Sequence, residues 1–281
     1  MEILKNRILV ETEYKGANVS CIKTQKGAVL IDSPFLKKDA EDWARSIREK
    51  VDQDIAFLIN TDHHFDHVLG NIYLTDRIIS HSTAAKGIKF LEDKQQLKMI
   101  IQGMVAKLPP GIEAEMDALV IPSPFITFDH NLTLNMGDAT IVIEFVGGHS
   151  PGTVLIYVPE NKIVFTGDNI EAQFPYFGQG RFYGWKKLLE RILTMDIDTV
   201  VPGHGPVGGK DMVEKYLAFF QGLEDEVKKF DLNGINADQM PKESKMLDFF
   251  SMEEAAKEGI PRAYWEMQYM IAAKQILSSP Q

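Results

Sequence analysis

The N-terminal part of the chain alternates short apolar runs with glycine turns. The apolar or alternating runs cover residues 7–13, 18–24 and 28–32. Lys15-Gly16 and Lys26-Gly27 separate these runs, and Pro34 follows the third. Runs of this length bounded by glycine are typical of strands joined by tight turns. The pattern therefore predicts an antiparallel meander.

Helical and strand patterns alternate over the next part of the chain. Ala40, Trp43, Ala44 and Ile47 follow the i, i+3, i+4, i+7 spacing of an amphipathic helix. The pattern predicts helices over residues 38–51, 67–74 and 83–108, and strands over residues 55–60 and 77–80. Alternation of strand and helix favours an α/β layered fold.

The second half of the chain repeats this organisation and ends in helices. Strands are predicted at residues 132–135, 140–146, 154–158, 162–165 and 199–201, and a helix at residues 185–194. Two longer helical patterns cover residues 211–230 and 263–277, and the polar stretch between them predicts a surface connection. The chain is thus expected to close an α/β domain and continue into a helical extension.

The composition and net charge of the chain limit the kinds of partner and the cellular compartment that we expect for it. The formal net charge of −10 disfavours a nucleic-acid partner, because an acidic chain repels a phosphate backbone. Cys21 is the single cysteine, which fits a reducing compartment. The N-terminal residues do not have the pattern of a signal peptide, and no apolar run has the length of a membrane span. We therefore expect a cytoplasmic protein without a membrane partner.

Candidate metal ligands follow four of the predicted strands. The segment Thr61-Asp62-His63-His64-Phe65-Asp66-His67 comes directly after a buried strand. His149, Asp168 and His204 each stand beside glycines at the end of another strand. Loops beyond the carboxyl ends of strands are the usual ligand sites of α/β sheets. Imidazole and carboxylate together bind zinc, iron or manganese, so the pattern predicts a metal centre.

These segments resemble the motifs of the metallo-β-lactamase fold superfamily, whose first motif is Thr-His-x-His-x-Asp-His. Gly148-His149-Ser150-Pro151-Gly152 is similar to the second motif, Thr166-Gly167-Asp168 to the third and Gly203-His204-Gly205 to the last. The resemblance covers about residues 7–210. It implies an αββα sandwich with a metal site at one edge of the two sheets. On this basis residues 1–210 form the domain, and residues 211–281 form a C-terminal helical extension packed on it.

The resemblance also implies a ligand set for two metal ions. The first ion would be held by Asp62, His64 and His149, the second by Asp66, His67 and His204, and Asp168 would bridge both. Asp32 is expected to support the site from behind the ligands, and Asn60 and Thr61 to orient the ligand loop.

One position departs from the family motif, because Asp62 stands where the motif has its first histidine. Asp62 can ligate the first ion, which would make the site more tolerant of iron or manganese. Alternatively, the first site is weak and partly occupied. We favour ligation, because aspartate is an ordinary metal ligand. His63 does not replace it, since neighbouring side chains of an extended segment point in opposite directions.

The predicted activity is hydrolysis of a small ester, lactone, thioester or amide. Two divalent ions, zinc being the expected metal, would lower the pKa of a bridging water, and Asp66 would orient it or take its proton. The alternative is a diiron oxidoreductase or oxygen-binding protein on the same fold. Antibiotic hydrolysis is not expected, because the second-site cysteine of some β-lactamases and a secretion signal are both absent from the sequence.

The substrate pocket is predicted from segments outside the common motifs. One candidate is the loop at residues 171–185, whose aromatic residues we expect at the pocket mouth: Phe174, Tyr176, Phe177, Tyr183 and Trp185. The helix at residues 83–108 and the C-terminal helix are further candidates, with core packing or a homodimer interface as the alternative role. The expected partner is a small-molecule substrate.

Overall fold

The computed structural model describes residues 1–104, 112–250 and 260–278. The strands are β1 Glu2–Leu4, β2 Ile8–Glu11, β3 Val19–Ile22, β4 Ala28–Ile31, β5 Ile55–Ile59, β6 Ile78–His81, β7 Ile126–Phe128, β8 Asn131–Asn135, β9 Thr140–Phe145, β10 Val154–Val158, β11 Ile163–Phe165 and β12 Thr199–Val201. The helices are α1 Lys37–Lys50, α2 Phe65–Val68, α3 Asn71–Leu74, α4 Ser82–Phe90, α5 Lys94–Met104, α6 Ile112–Ala118, α7 Phe182–Thr194, α8 Lys210–Leu232, α9 Met240–Glu243 and α10 Arg262–Ser278.

The strands form two sheets. The first has seven strands in the order β1-β2-β3-β4-β5-β6-β7, antiparallel up to β4 and parallel from β4 to β7. The second has five strands in the order β12-β11-β10-β9-β8, with one parallel pair between β11 and β12. The predicted meander is the antiparallel half of the first sheet, to which β1 adds an edge strand that the sequence pattern did not predict.

The two sheets face each other across an apolar layer. Val10, Ile31 and Ile59 from the first sheet lie in one buried cluster with Ile143 and Ile156 from the second. Helix α1 covers the outer face of the first sheet with Trp43 and Ile47, both almost fully buried. Removal of this apolar surface from water is the main force that holds the layers together.

Helices α7, α8 and α10 cover the outer face of the second sheet. Leu155 and Val164 of that sheet share one buried cluster with Leu189 of α7, Phe220 of α8 and Trp265 of α10. The order helix, sheet, sheet, helix confirms the predicted αββα sandwich with additional C-terminal helices.

Two predicted helices are divided in the structure. The helix predicted at residues 83–108 is split into α4 and α5, because Asp93 starts a new helix by accepting hydrogen bonds from the backbone N–H groups of Gln95 and Gln96 at 3.0 and 3.2 Å. Its last part, after residue 104, lies outside the described residues. The helix predicted at residues 67–74 is split into α2 and α3 around Gly70, where a Cβ would lie 2.0 Å from the Pro34 carbonyl oxygen.

The loops that carry the candidate ligands lie at one edge of the sandwich. They follow β4, β5, β9, β11 and β12, and short backbone hydrogen bonds join them across the two sheets. The Val154 N–H donates to the Thr61 carbonyl at 2.8 Å, and the Asn18 N–H donates to the Gly203 carbonyl at 2.7 Å. Among the described helices, none has the length and apolar character needed to cross a membrane.

Trp265 tests whether the C-terminal helix contributes to the stability of the domain. The side chain is 2% exposed and its ring centroid lies 5.7 Å from that of Phe174. Trp265→Ala should lower the free energy of unfolding by about 3–5 kcal/mol, because it leaves a cavity in the core. Met267→Ala, at an exposed position on the same helix, should change it by less than about 0.5 kcal/mol. Urea denaturation measures both, and equal effects would contradict the packing of α10 against the sheet.

Candidate functional site

The loop after β5 is held in shape by buried polar contacts. The Asp32 carboxylate accepts hydrogen bonds from the Thr61 N–H and the Thr61 hydroxyl, both at 2.7 Å. The Asn60 side-chain amide donates to the His67 carbonyl at 3.0 Å. These bonds fix the path of the chain from the end of β5 into α2, so Asn60 and Thr61 orient the ligand loop as predicted.

Asp32 sets the orientation of His67. Its Oδ2 lies 2.9 Å from His67 Nδ1, and both side chains are buried. This contact holds the proton on Nδ1, so His67 Nε2 is free to face the carboxylate of Asp168, 3.2 Å away. A carboxylate behind a histidine ring is the usual arrangement at metal-binding histidines.

The first group of candidate ligands contains Asp62, His64, His149 and Asp168, whose ligand atoms all lie within 4.8 Å of one another. Asp62 Oδ2 lies 2.8 Å from His64 Nδ1 and 3.8 Å from His149 Nε2. His149 Nε2 lies 3.4 Å from Asp168 Oδ2. The structure therefore brings the Asp62 carboxylate together with His64, His149 and Asp168.

The second group contains Asp66, His67 and His204, again within 4.8 Å of one another. His204 Nε2 lies 3.3 Å from Asp66 Oδ2 and 3.4 Å from Asp168 Oδ1. Asp168 thus contacts His67 and His204 through Oδ1 and His149 through Oδ2. One carboxylate stands between the two groups, which is the place predicted for a bridging ligand.

Close packing holds Asp168 in place. A Cβ at Gly203 would lie 1.9 Å from Asp168 Oδ1, so any side chain there would displace the carboxylate. Gly148 has φ +90°, a conformation that favours glycine, and a Cβ there would lie 2.0 Å from Asn169 Oδ1. Asn169 Oδ1 in turn accepts the His149 N–H at 2.9 Å. Two of the motif glycines therefore have a steric purpose.

Several buried atoms of the site form no well-aligned hydrogen bond among the described residues, although other candidate ligands lie close to them. They include Asp62 Oδ2, His67 Nε2 and Asp168 Oδ1. Buried polar atoms are almost always satisfied, and an unsatisfied one costs about 1–3 kcal/mol. These atoms face one another in the two ligand groups. Their number, types and convergence fit divalent metal ions.

The charges of the site also favour cations. Burial opposes the charged form of His67, but the carboxylates of Asp168 and Asp32 outweigh it and raise the pKa of His67 well above its ordinary value. The same balance of burial against Asp168 and Asp66 raises the pKa of His204. Carboxylates so close together repel one another unless positive charge lies between them. Bound divalent metal ions would supply such charge.

Glu171 is a buried acidic residue that the sequence interpretation missed. It is 5% exposed, and its Oε1 lies 3.6 Å from His149 Nδ1, on the side of the ring away from Asp168. Burial, followed by the charge of Asp168, raises the pKa of Glu171 to about 8. The sequence feature that could have indicated Glu171 is its position three residues after Asp168, in a loop whose aromatic residues alone entered the prediction.

The prediction that the aromatic loop lines the pocket mouth is wrong for most of its residues. Phe174, Phe177 and Trp185 are almost fully buried in the cluster beneath α8 and α10. Tyr176 is the exception, since it is half-buried and its ring centroid lies 5.9 Å from His64 and 5.6 Å from His149. The Trp185 ring also reaches the site, with its centroid 5.6 Å from that of His149, but it does so as a buried packing residue.

Two other residues lie where the sequence interpretation placed them. Cys21 is fully buried in β3, and burial raises the pKa of its thiol to about 12, so it behaves as a small apolar residue. His63 takes no part in either ligand group. Its ring packs against Gly87 of α4, where a Cβ would lie 2.2 Å from His63 Cδ2.

Comparison with known proteins gives the class of the chain. A model of the metallo-beta-lactamase superfamily matches residues 14–204. That match spans more than half of the chain, and it covers the residues of both ligand groups. The chain belongs to the metallo-beta-lactamase superfamily.

Curated relatives are hydrolases of this superfamily. An acyl-coenzyme A thioesterase, MBLAC2 from Bos taurus, is 23% identical over 203 residues, which are 67% of this chain and 72% of the relative. A metallo-beta-lactamase type 2 from Bacillus sp. (strain 170) is 24% identical over 225 residues, which are 75% of this chain and 77% of the relative. With the family match, these relatives identify the chain as a metal-dependent hydrolase.

Solved structures share the fold. A metallo-beta-lactamase from Pontibacter korlensis superposes with a TM-score of 0.60 at 21% identity and covers 79% of this chain and 97% of its own. The stereoselective inverting sec-alkylsulfatase Pisa1 from Pseudomonas sp. superposes with a TM-score of 0.73 at 13% identity, covering 92% of this chain and 47% of its own. At these identities the likeness shows the fold alone.

Asp62 tests the departure from the family motif. Asp62→Ala should remove metal from the first group while the second group retains it, because Asp62 belongs to the first group only. The loss of affinity should be at least the ~10–100-fold that follows loss of an outer partner. Metal content after dialysis against a weak chelator measures it.

His63→Ala is the matched control, because His63 is adjacent in the chain and lies outside both groups. It should keep the metal content of the unmodified protein. Full metal content in Asp62→Ala would refute the role of Asp62, whereas loss in both variants would show that the loop, rather than the carboxylate, is responsible.

Proposed function

We propose that the protein is a dinuclear metal hydrolase of small acyl compounds, with thioesters and esters as the favoured substrates and lactones and amides as further candidates. In this proposal Asp62, His64 and His149 hold the first ion, Asp66, His67 and His204 hold the second, and Asp168 bridges them. Zinc is the favoured metal. The substrate is a small molecule.

The observation that carries the proposal is the position of the Asp168 carboxylate between two ligand groups. Its two oxygens lie within 3.2–3.4 Å of three histidine Nε2 atoms that come from three different loops. Asp168 Oδ1 and His67 Nε2 form no well-aligned hydrogen bond among the described residues. A single buried carboxylate facing both groups supports a pair of ions in preference to two independent sites.

When bound, two divalent ions supply a strong nucleophile at neutral pH and polarise the substrate carbonyl. The chain contributes the remaining functions through its own side chains. Asp66 is the proposed proton acceptor, since its carboxylate lies beside His204 and is partly open to solvent. Asp32 and Thr61 keep His67 oriented, and Glu171 lies behind His149 with its Oε1 3.6 Å from Nδ1. A preorganised site of this kind avoids reorganisation during the reaction.

The preference for acyl substrates is supported by the charge of the chain and by the relatives. The formal net charge of −10 disfavours nucleic acid as a substrate, because an acidic chain repels a phosphate backbone. The bovine relative is named an acyl-coenzyme A thioesterase, which supports placing thioesters first in the order of substrates to be tested.

An iron-dependent oxidoreductase or oxygen-binding protein is the second candidate, and Asp62 is the observation that favours it. The buried Asp62 carboxylate gives the first group two carboxylates and two imidazoles. Harder oxygen ligands suit iron and manganese better than an all-histidine set does. An oxygen-dependent visible absorption band of the iron-loaded protein, without thioester hydrolysis, would support this candidate over the first.

Hydrolysis can be tested with acyl thioesters of N-acetylcysteamine and p-nitrophenyl esters. Protein stripped by a chelator should be inactive, and zinc should restore activity. Asp66→Asn should lower kcat by about 10²–10⁴-fold, the usual contribution of a proton-transfer group. Asp76→Asn, at an exposed position, is the matched control and should retain full kcat. Absence of hydrolysis by the metal-loaded protein across both substrate series would contradict the proposed function.

A further inference from the structure

The loop at residues 172–181, named here the site loop, is held by the C-terminal helix. Gln268 of α10 is fully buried, and its Oε1 accepts the Phe177 N–H at 2.7 Å. Gln275, two turns further along α10, donates to the carbonyls of Phe177 and Gly180 at 3.2 and 3.0 Å. Side chains from one helix thus satisfy both backbone groups of Phe177, in the middle of the loop.

Apolar contacts reinforce these hydrogen bonds. The Phe174 ring packs against Trp265 of α10 with centroids 5.7 Å apart, and the Phe177 ring packs against Phe220 of α8 at 5.6 Å. The site loop is therefore anchored on both sides of Tyr176. Because α10 begins at Arg262, it lies beyond the residues 14–204 that match the superfamily.

Tyr176 is the side chain that this anchoring turns toward the metal groups. Its ring lies against the rings of His64 and His149, with centroids 5.9 and 5.6 Å apart. The ring lies directly over Gly178, where a Cβ would be 2.3 Å from the Tyr176 hydroxyl oxygen. The bare glycine backbone is thus required for the position of the ring.

We propose that α10 is part of the substrate-binding site: through Gln268 it positions the site loop so that Tyr176 contacts the acyl substrate beside the first ligand group. Tyr176 is the specificity-determining residue, and Gln268 is a positioning residue. The inference rests on the proposed function.

The chemistry of Tyr176 suits an acyl substrate. A half-buried phenol offers an apolar face to an acyl chain and one hydroxyl donor to a carbonyl oxygen. The ring lies against both His64 and His149, so a substrate carbonyl bound at the first ligand group would lie close to it.

The experiment uses the full-length, zinc-loaded protein with acetyl, butyryl and hexanoyl thioesters of N-acetylcysteamine. Gly178→Ala displaces the Tyr176 ring without removing it, and Tyr176→Phe removes only the hydroxyl. We expect Gly178→Ala to raise KM about tenfold and to change the ranking of the acyl chains. A tenfold rise in KM corresponds to the loss of one good contact with the substrate. Gln268→Leu, which removes the acceptor of the Phe177 N–H, should change KM in the same direction.

Matched controls separate the role of Tyr176 from general effects. Gly184→Ala is a second glycine substitution nearby, and its Cβ would meet no atom closer than 3.9 Å. Gln221→Leu is the control for Gln268→Leu at an exposed position on α8. Both controls should keep the KM values and acyl ranking of the unmodified protein. Metal content and melting temperature, measured on every variant, report on structural damage.

The outcomes distinguish the inference from the proposed function. If the unmodified protein hydrolyses the thioesters but Gly178→Ala and Tyr176→Phe keep its KM values and ranking, the inference is wrong and the proposed function stands. If the unmodified, zinc-loaded protein hydrolyses none of them, the proposed function fails. Calorimetry with S-hexyl-N-acetylcysteamine, the thioether that cannot be hydrolysed, then decides the inference alone. Equal affinity of Gly178→Ala and the unmodified protein for this compound overturns the inference, and a loss of affinity of about tenfold supports it.

Discussion

The buried carboxylate of Asp168 is the constraint on which the rest of the structure depends. It faces three histidines from three loops, and the carboxylates of Asp62 and Asp66 stand on either side of it. Buried carboxylates at this spacing repel one another and are costly to desolvate. Bound metal ions would offset this repulsion, so we expect metal binding to stabilise this edge of the fold.

The two-sheet sandwich brings together the loops around Asp168, which are far apart in the chain. Loops from both sheets are joined by the Thr61–Val154 and Asn18–Gly203 hydrogen bonds, and Asp32 fixes the ring of His67 from behind. The ligand positions therefore follow from the spacing of two sheets that a shared apolar layer holds. On the outer side, the C-terminal helices cover the second sheet and reach the site loop.

The resemblance to the family motifs implied the two candidate ligand groups, and the structure brings those side chains close together. Asp62, His64, Asp66 and His67 share one loop, and glycines mark the other three segments, so the segments that carry them can be recognised in the sequence. Sequence patterns failed where long-range packing decides the structure. Phe177 looked like a pocket residue but is buried by α8 and α10, and the contact between Glu171 and His149 depends on a side-chain direction that no local pattern encodes. The division between α4 and α5 depends on one helix N-cap residue, Asp93.

The most direct test of the account is the metal content of the zinc-reconstituted protein, compared with that of Asp168→Asn. The account predicts about two ions per chain in the unmodified protein, because two ligand groups share one carboxylate. It predicts loss from both groups in Asp168→Asn, since each depends on an oxygen of that carboxylate. An unmodified protein that binds no metal after reconstitution with zinc, manganese and iron, or an Asp168→Asn variant that retains two ions per chain, would contradict it.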